Sequence, residues 1–212
     1  KISILKYVGG GMRPGYAMSL PEAELVKLPG FSKDIAKSRE EAKKLLEQAG
    51  HKDLKFKLLN RNVAEPYTPG AVYSIDQWRR IGLKVEQRVI EPAGYYGVIR
   101  KGDAEVFMDF QCGYIVEPDL DMYKFLSTER NPANSGRYKS PVLDELYDKQ
   151  SRATSVEERK RLVREFERVL LDEEAHYLMT LQWHRIIPHS SKVQGWTVTP
   201  SHYLNNRLDT VW

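Results

Sequence analysis

The chain of 212 residues contains a single cysteine and no long apolar run. Its one cysteine, Cys112, excludes a disulfide framework within the chain and any zinc site built from several cysteines. No apolar run approaches the roughly 18 residues that a membrane helix needs. The first residue is Lys1, and no signal peptide is recognisable after it. We therefore expect a processed or cut chain, in which a missing signal says nothing about export.

Charge of one sign is not concentrated anywhere in the chain. The formal net charge is +4, and lysine and arginine alternate with aspartate and glutamate along most segments. A nucleic-acid surface would need clustered basic residues with interleaved aromatics. The pattern instead indicates solvated helix faces, so no nucleic-acid partner is expected.

The middle of the chain alternates between strand and helix patterns. Leu54, Phe56 and Leu58 alternate with lysines, which is the period of a half-buried strand. The same reasoning predicts strands at 53–60, 82–90 and 104–110, with helices at 66–82 and 94–100. Strand, helix and strand at this spacing predict a βαβ unit, and so an α/β sheet.

Three further helices are predicted from their starting residues. Ser38 with Glu41 and Ser155 with Glu158 each match a capping box, while Ser140 precedes a proline at the first helical position. The first of these helices, which ends at Gly50, is expected to bury one face that includes Leu45 and Leu46. Residues 1–37 are expected to be irregular, and the segment from His176 to a break at Pro188 is expected to be a strand.

Catalytic and metal chemistry find little support in the pattern. A nucleophilic Cys112 would need a histidine base, and none of the five histidines lies in a recognisable local signature. A small buried filler at a strand end is the favoured interpretation of Cys112. His184 and His189 straddle a proline and do not share a helix face, so no metal site is expected. The three glycines at 9–11 lack the GK[ST] of a phosphate loop, and no cofactor is expected.

Aromatic residues are concentrated around the third predicted strand. Most members of such a set are usually core, but ligands of open α/β sheets lie at the carboxyl ends of strands. The loop that follows this strand is therefore a candidate binding region. The set comprises Tyr95, Tyr96, Phe107, Phe110, Tyr114 and Tyr123.

The order of several blocks resembles the bacterial extracellular solute-binding proteins of family 5, which are the peptide, nickel and opine receptors of ABC importers. The blocks lie at 28–50, 78–85, 102–119 and 131–171 and include QWRRIGLKVE and GDAEVFMDFQCGYIVEPD. They are specific in combination only. The resemblance implies a periplasmic-binding-protein-like α/β lobe of type II, cluster C, with a mixed sheet flanked by helices.

Family members have two lobes that close on a ligand and are roughly twice as long, so this chain resembles the C-terminal portion. The resemblance implies an irregular wrapping segment at 1–37 and a second, ligand-binding lobe at 38–176. It also implies a closing segment at 177–212 that returns toward the first lobe, which is missing here. Because the cleft needs both lobes, this portion alone is expected to bind solute weakly or not at all.

In the family, the loop between the Gly-Asp and Pro-Asp of the third block lies on the cleft. The resemblance therefore implies ligand contacts from Phe110, Gln111, Cys112, Gly113 and Tyr114. Gln111 stands where a tryptophan is typical, and Tyr114 stands where peptide receptors place an aspartate for the peptide's α-amino group. A phenol cannot supply that charge-assisted bond. A neutral, aromatic or acidic solute is thus favoured over a free-amino peptide.

The expected function is solute capture, not catalysis. The implied partners are a small solute or short peptide, the inner-membrane permease of an ABC importer and the N-terminal lobe of the same protein. The expected location is the periplasm, or the cell surface through a lipid anchor in a Gram-positive host. Two alternatives stay open: an interaction or sensory module of the same fold, and a hydrolase that depends on Cys112.

Overall fold

A computed structural model describes residues 9–110, 115–182, 187–197 and 209–212. Internal contacts divide the chain into two compact units. One contains Glu22–Phe110, and the other contains Gly9–Pro21 and the described residues after Phe110. These units do not follow the segments expected from the family resemblance, whose boundaries stay a prediction.

The first unit is an α/β structure, and its sheet is parallel. The strands are ordered β2-β1-β3, so β1 is central. The predicted βαβ unit is confirmed as β1, α3 and β2. The elements are α1 (Glu22–Leu25), α2 (Ile35–Gln48), β1 (Lys55–Arg61), α3 (Tyr67–Arg80), β2 (Lys84–Ile90), α4 (Pro92–Lys101) and β3 (Val106–Phe107).

Helices cover both faces of the sheet. Leu58 packs with Ala71 and Ile75 of α3, whereas its neighbour Leu59 packs with Tyr95 and Ile99 of α4. Because successive strand residues point to opposite faces, these two leucines serve two different cores. A central parallel strand is buried on both faces, which explains why the alternation predicted for β1 is replaced by a continuous buried stretch.

The direction of the chain reverses between β1 and β3. From β1 the chain passes through α3 to β2 on one side, and α4 then carries it back to β3 on the other side. Such a reversal opens a crevice beyond the carboxyl ends of the two strands, where open α/β sheets bind ligands. The fold thus directs attention to the residues that end β1 and follow β3.

The second unit is helical in the described residues, with α5 (Pro118–Tyr123), α6 (Pro141–Arg152), α7 (Val156–Arg168) and a π-helical turn (Val169–Glu173). Ser140 and Ser155 cap α6 and α7 as predicted, through the backbone N–H groups of Leu143 and Glu158. Leu143, Val163 and Phe166 lie in its core.

Glu167 of α7 holds the segment at 9–21 in the second unit. Its carboxylate accepts hydrogen bonds from the backbone N–H groups of Met12, at 3.1 Å, and Leu20, at 2.7 Å. Burial raises the pKa of this carboxyl, although these backbone donors act in the opposite direction. The irregular segment predicted from its prolines and glycines is therefore fixed by a buried side chain 147 residues or more away in sequence.

Three predictions of local structure are wrong. The N-cap of α2 is Asp34, which accepts from the Lys37 N–H, and Ser38 lies inside the helix. Leu45 is exposed on that helix, since only Leu46 of the two leucines reaches the core. The strand expected from His176 is not found in the described residues 176–182 and 187–188.

The third predicted strand is shorter than expected. Only Val106 and Phe107 pair with β1, and Met108 adds one hydrogen bond from its N–H to the carbonyl of Leu59. No antiparallel strand joins the sheet within the described residues. No helix in this described part of the chain is long and apolar enough to cross a membrane.

Candidate functional site

Arg61 and Asp109 face each other at the reversal point between β1 and β3. Leu59 pairs with Phe107 in the parallel register, and two residues further along each chain stand Arg61 and Asp109. Because two steps return to the same face of a sheet, both side chains point to the face that α4 covers. The sheet register therefore brings together two opposite charges that are 48 residues apart in sequence.

The two charges form an ion pair, and the phenol of Tyr96 is hydrogen-bonded to both of them. The Arg61 guanidinium donates from Nη2 to a carboxylate oxygen of Asp109 and, at 2.9 Å, to the Tyr96 hydroxyl. The Tyr96 hydroxyl donates in turn to Asp109 at 3.3 Å. The Arg61 side chain is only 11% exposed and that of Asp109 is 24% exposed. The two side chains are thus only partly exposed, and partial exclusion of water strengthens the Coulomb attraction between them.

Four aromatic rings surround the Arg61 guanidinium, and we call this set the aromatic cage. The distances from Cζ to the ring centroids are 4.3 Å for Tyr67, 4.6 Å for Tyr95, 5.0 Å for Tyr96 and 5.3 Å for Phe110. All lie within the range of cation–π attraction. Arg61 Nε is buried without a hydrogen-bond acceptor among the described residues, so the π-faces supply attraction that an acceptor does not.

The cage draws on three parts of the first unit. Tyr67 is the first residue of α3, Tyr95 and Tyr96 lie in the first half of α4, and Phe110 follows β3. Rings also contact each other edge to face, with Tyr67 and Phe110 at 6.3 Å and Tyr95 and Tyr96 at 5.3 Å. Tyr95 is fully buried, and its hydroxyl donates to the carbonyl of Met108. The cage is therefore preformed by packing.

Burial and charge act in opposite directions on the ionisable groups. Burial raises the pKa of Asp109, while the Phe110 N–H and the Arg61 guanidinium act to lower it. For Arg61, burial is the largest influence and lowers the pKa, but the Tyr96 hydroxyl and Asp109 leave it above its ordinary value. Burial also raises the pKa of Tyr95 and of Tyr96, so both phenols keep their protons near neutral pH.

Hydrogen bonds also connect the carboxyl ends of the neighbouring strands β1 and β2. The Asn62 side-chain amide donates to the Glu91 carboxylate at 2.8 Å, and the Asn62 N–H donates to the carbonyl of Ile90 at 2.7 Å. These bonds join the carboxyl ends of β1 and β2. They leave the exposed Glu91 beside the helix start of α4.

Comparison with known protein families identifies the family of this chain. The model of the family described as "Bacterial extracellular solute-binding proteins, family 5 Middle" matches residues 2–133, which is more than half of the chain. The chain belongs to the family 5 solute-binding proteins. No curated protein matches it.

Several solved structures of similar fold are peptide-binding proteins. Helicobacter pylori DppA, an ABC transporter-associated periplasmic binding protein in complex with the peptide STSA, superposes with a TM-score of 0.75 at 23% identity. The match covers 97% of this chain and 38% of DppA. Haemophilus influenzae OppA, in complex with RPPGFSPFR, has a TM-score of 0.60 and 26% identity, covering 70% of this chain and 30% of OppA.

The murein tripeptide-binding protein MppA of Escherichia coli is a further match, with a TM-score of 0.64 and 22% identity over 80% of this chain and 31% of MppA. The expected α/β fold of family 5 proteins is thereby confirmed. The chain spans about a third of the length of these solved relatives.

Of the five expected contact residues of this family 5 chain, Phe110 lies in the described part. Its ring is 52% exposed and forms the outer edge of the aromatic cage. Gln111, Cys112, Gly113 and Tyr114 lie outside the described residues, and their roles stay predictions. The described residues contain no group of three or more His, Cys, Asp and Glu side chains that is placed to hold a metal ion.

Sequence reasoning missed Arg61, Tyr67 and Asp109. Tyr95 and Tyr96 belong to the predicted aromatic set, but that prediction does not include their shared contact with Arg61. A signal was present: an arginine ends a strand that is buried on both faces, and an aspartate stands at the matching offset after β3. Recognising it requires the register between two strands, which no local pattern provides.

Proposed function

We propose that this chain is the C-terminal part of a periplasmic receptor that captures a small solute and delivers it to the permease of an ABC importer. The observation that carries the proposal is the Arg61–Asp109 pair with its aromatic cage at the reversal point of the sheet. A preformed site of aromatic and polar groups at that place is typical of ligand binding. Membership of family 5 supports capture over catalysis.

Gln111, Cys112, Gly113 and Tyr114, which follow Phe110 directly in sequence, are proposed as further ligand contacts. The N-terminal lobe of the same protein would close over the solute. The periplasm, or the cell surface through a lipid anchor, is the proposed location. The peptides in complex with DppA and OppA make a peptide-like solute one candidate class.

The experiment is to purify the receptor as its host cell makes it and to identify by mass spectrometry the small molecules that co-purify. The identified compound is then titrated back by calorimetry after its removal from the receptor. Phe110→Ala is expected to weaken binding, while Tyr73→Ala is the matched control, because Tyr73 is an equally exposed ring on α3 outside the cage. Recovery of no compound, and no heat with pooled peptides and organic acids, would contradict the proposal.

A further inference from the structure

The positive charge of the site is already committed within the protein. Arg61 pairs with Asp109, donates to Tyr96 and is covered by four rings, which leaves only 11% of its side chain exposed. An anionic solute group would have to displace Asp109 to reach it. That exchange would leave the Asp109 carboxylate without its counter-charge, and losing the partner of a partly buried charge is costly.

The negative charge is committed in the same way. One oxygen of Asp109 receives both the Arg61 guanidinium and the Tyr96 hydroxyl, and the Phe110 N–H also acts on the carboxylate. A cationic solute group at Asp109 would meet the repulsion of Arg61 on the other side of the same carboxylate. The pair is neutral as a unit, so it offers little attraction to a solute of either sign.

Among the described residues beside the pair, two aromatic side chains are exposed. Phe110 is 52% exposed and Tyr96 is 37% exposed, whereas Tyr95 is fully buried and contacts Tyr96 edge to face. Phe110 is held edge to face against Tyr67. A ring that is already held by its neighbours loses little conformational freedom when a planar group packs on it. Such rings are well suited to contact another ring.

We infer that the exposed rings of Phe110 and Tyr96 receive an uncharged aromatic group of the solute, and that the Arg61–Asp109 pair orders these rings without binding the solute's charges. The inference rests on the proposed function and specifies the solute class for the same site. It assigns to Arg61 and Asp109 a positioning role, because each acts through the rings and the other's charge.

Four probes of similar size test the inference: benzamide, benzoate, benzylamine and cyclohexanecarboxamide. Benzamide is neutral and aromatic, benzoate is an anion, benzylamine is a cation, and cyclohexanecarboxamide is neutral without an aromatic ring. Each is titrated against the receptor as its host makes it, freed of solute. Binding is followed through NMR signals of the receptor that are assigned to Phe110 and Tyr96. Benzamide is expected to bind about two- to tenfold more tightly than cyclohexanecarboxamide, which is the range that an aromatic contact provides. Benzoate and benzylamine carry the same ring and are expected to bind no more tightly than benzamide, because the neutral pair offers no attraction to their charges.

Two variants separate the ring from its bulk and from general surface effects. Phe110→Leu keeps an apolar side chain and is expected to remove the preference for benzamide over cyclohexanecarboxamide. Tyr73→Ala, on the exposed part of α3, is expected to leave all four affinities unchanged. Both residues are exposed, so neither substitution removes a buried side chain from the core.

Each other outcome overturns the inference. Tighter binding of benzoate means that Arg61 is open to an anion, and tighter binding of benzylamine means that Asp109 reads a cation. Equal binding of cyclohexanecarboxamide means that the surface is apolar but not selective for rings. No perturbation by any probe assigns the exposed rings to packing against another part of the receptor. The proposed function is judged separately, by the compound that co-purifies.

Discussion

Arg61 shows how one residue organises the edge of a sheet. A guanidinium that is nearly buried loses most of its hydration, and this cost is offset by the Asp109 carboxylate and by four ring faces. The planar, delocalised charge of arginine suits such stacking better than the compact charge of lysine does. The same contacts fix the positions of Tyr96 and Phe110, so the charge shapes a surface that is itself aromatic.

Replacing Arg61 by glutamine is expected to raise the pKa of Asp109 further. Burial already raises this pKa above the ordinary value of 3.8, and Arg61 is one of the groups that restrain the rise. Without the guanidinium, the buried carboxylate loses its counter-charge and holds its proton to higher pH. The measurement is a carbon-13 NMR titration of the Asp109 carboxyl in both proteins.

The sign of the effect on stability follows from the same shift. A carboxyl whose folded-state pKa is raised contributes stability below the ordinary value of 3.8, and this contribution is lost as the pH rises through the raised pKa. In Arg61→Gln the loss should extend to higher pH. Arg88→Gln is the control, since Arg88 pairs with Asp103 on the exposed surface. An unchanged Asp109 titration in Arg61→Gln would show that the ion pair does not restrain this pKa.

At the scale of elements, α2 shows a competition between two caps. Ser38 and Glu41 match a capping box, but Asp34 lies four residues earlier and accepts from the Lys37 N–H at 3.0 Å. Its own backbone carbonyl accepts from the Ser38 N–H, which makes Ser38 an interior residue. A helix that starts earlier adds backbone hydrogen bonds, so the upstream cap prevails.

Asp34→Ala is expected to destabilise the chain by about 1 kcal/mol, which is the usual cost of losing an N-cap acceptor. Ser38→Ala should change stability by less than about 0.5 kcal/mol, because this hydroxyl is exposed and alanine is a better helix former. Urea unfolding of both variants checks the difference. A larger loss for Ser38→Ala would restore the capping box as the true start of the helix.

Sequence reasoning succeeded for elements whose signals are local and failed where a distant segment decides. The caps at Ser140 and Ser155 and the βαβ unit follow from residues a few positions apart. The length of β3 depends on how many of its residues pair with β1. The strand expected from His176 has no partner strand within the described residues. Arg61 and Asp109 meet only through the register of two strands, so no local pattern indicates them, and the predicted solute contact of Phe110 stays a prediction.

At the scale of the whole chain, the two compact units have separate buried clusters. Leu58 is buried in the first unit beneath α3. Phe166 of α7 is buried in the core of the second unit. No residue belongs to both of these clusters. Local opening often follows such cores, because each cooperative region is stabilised by the apolar contacts within it.

Substitutions in the two cores are therefore expected to act on different regions. Leu58→Ala should lower the free energy of opening by about 2–5 kcal/mol in β1, α3 and β2, and Phe166→Ala by about 3–5 kcal/mol in α6 and α7. Native-state hydrogen exchange with mass spectrometry measures both regions in the same sample. The exchange of each region should respond mainly to its own substitution. Equal losses in both regions for either variant would mean that the two cores open as one cooperative structure, in spite of their separate contacts.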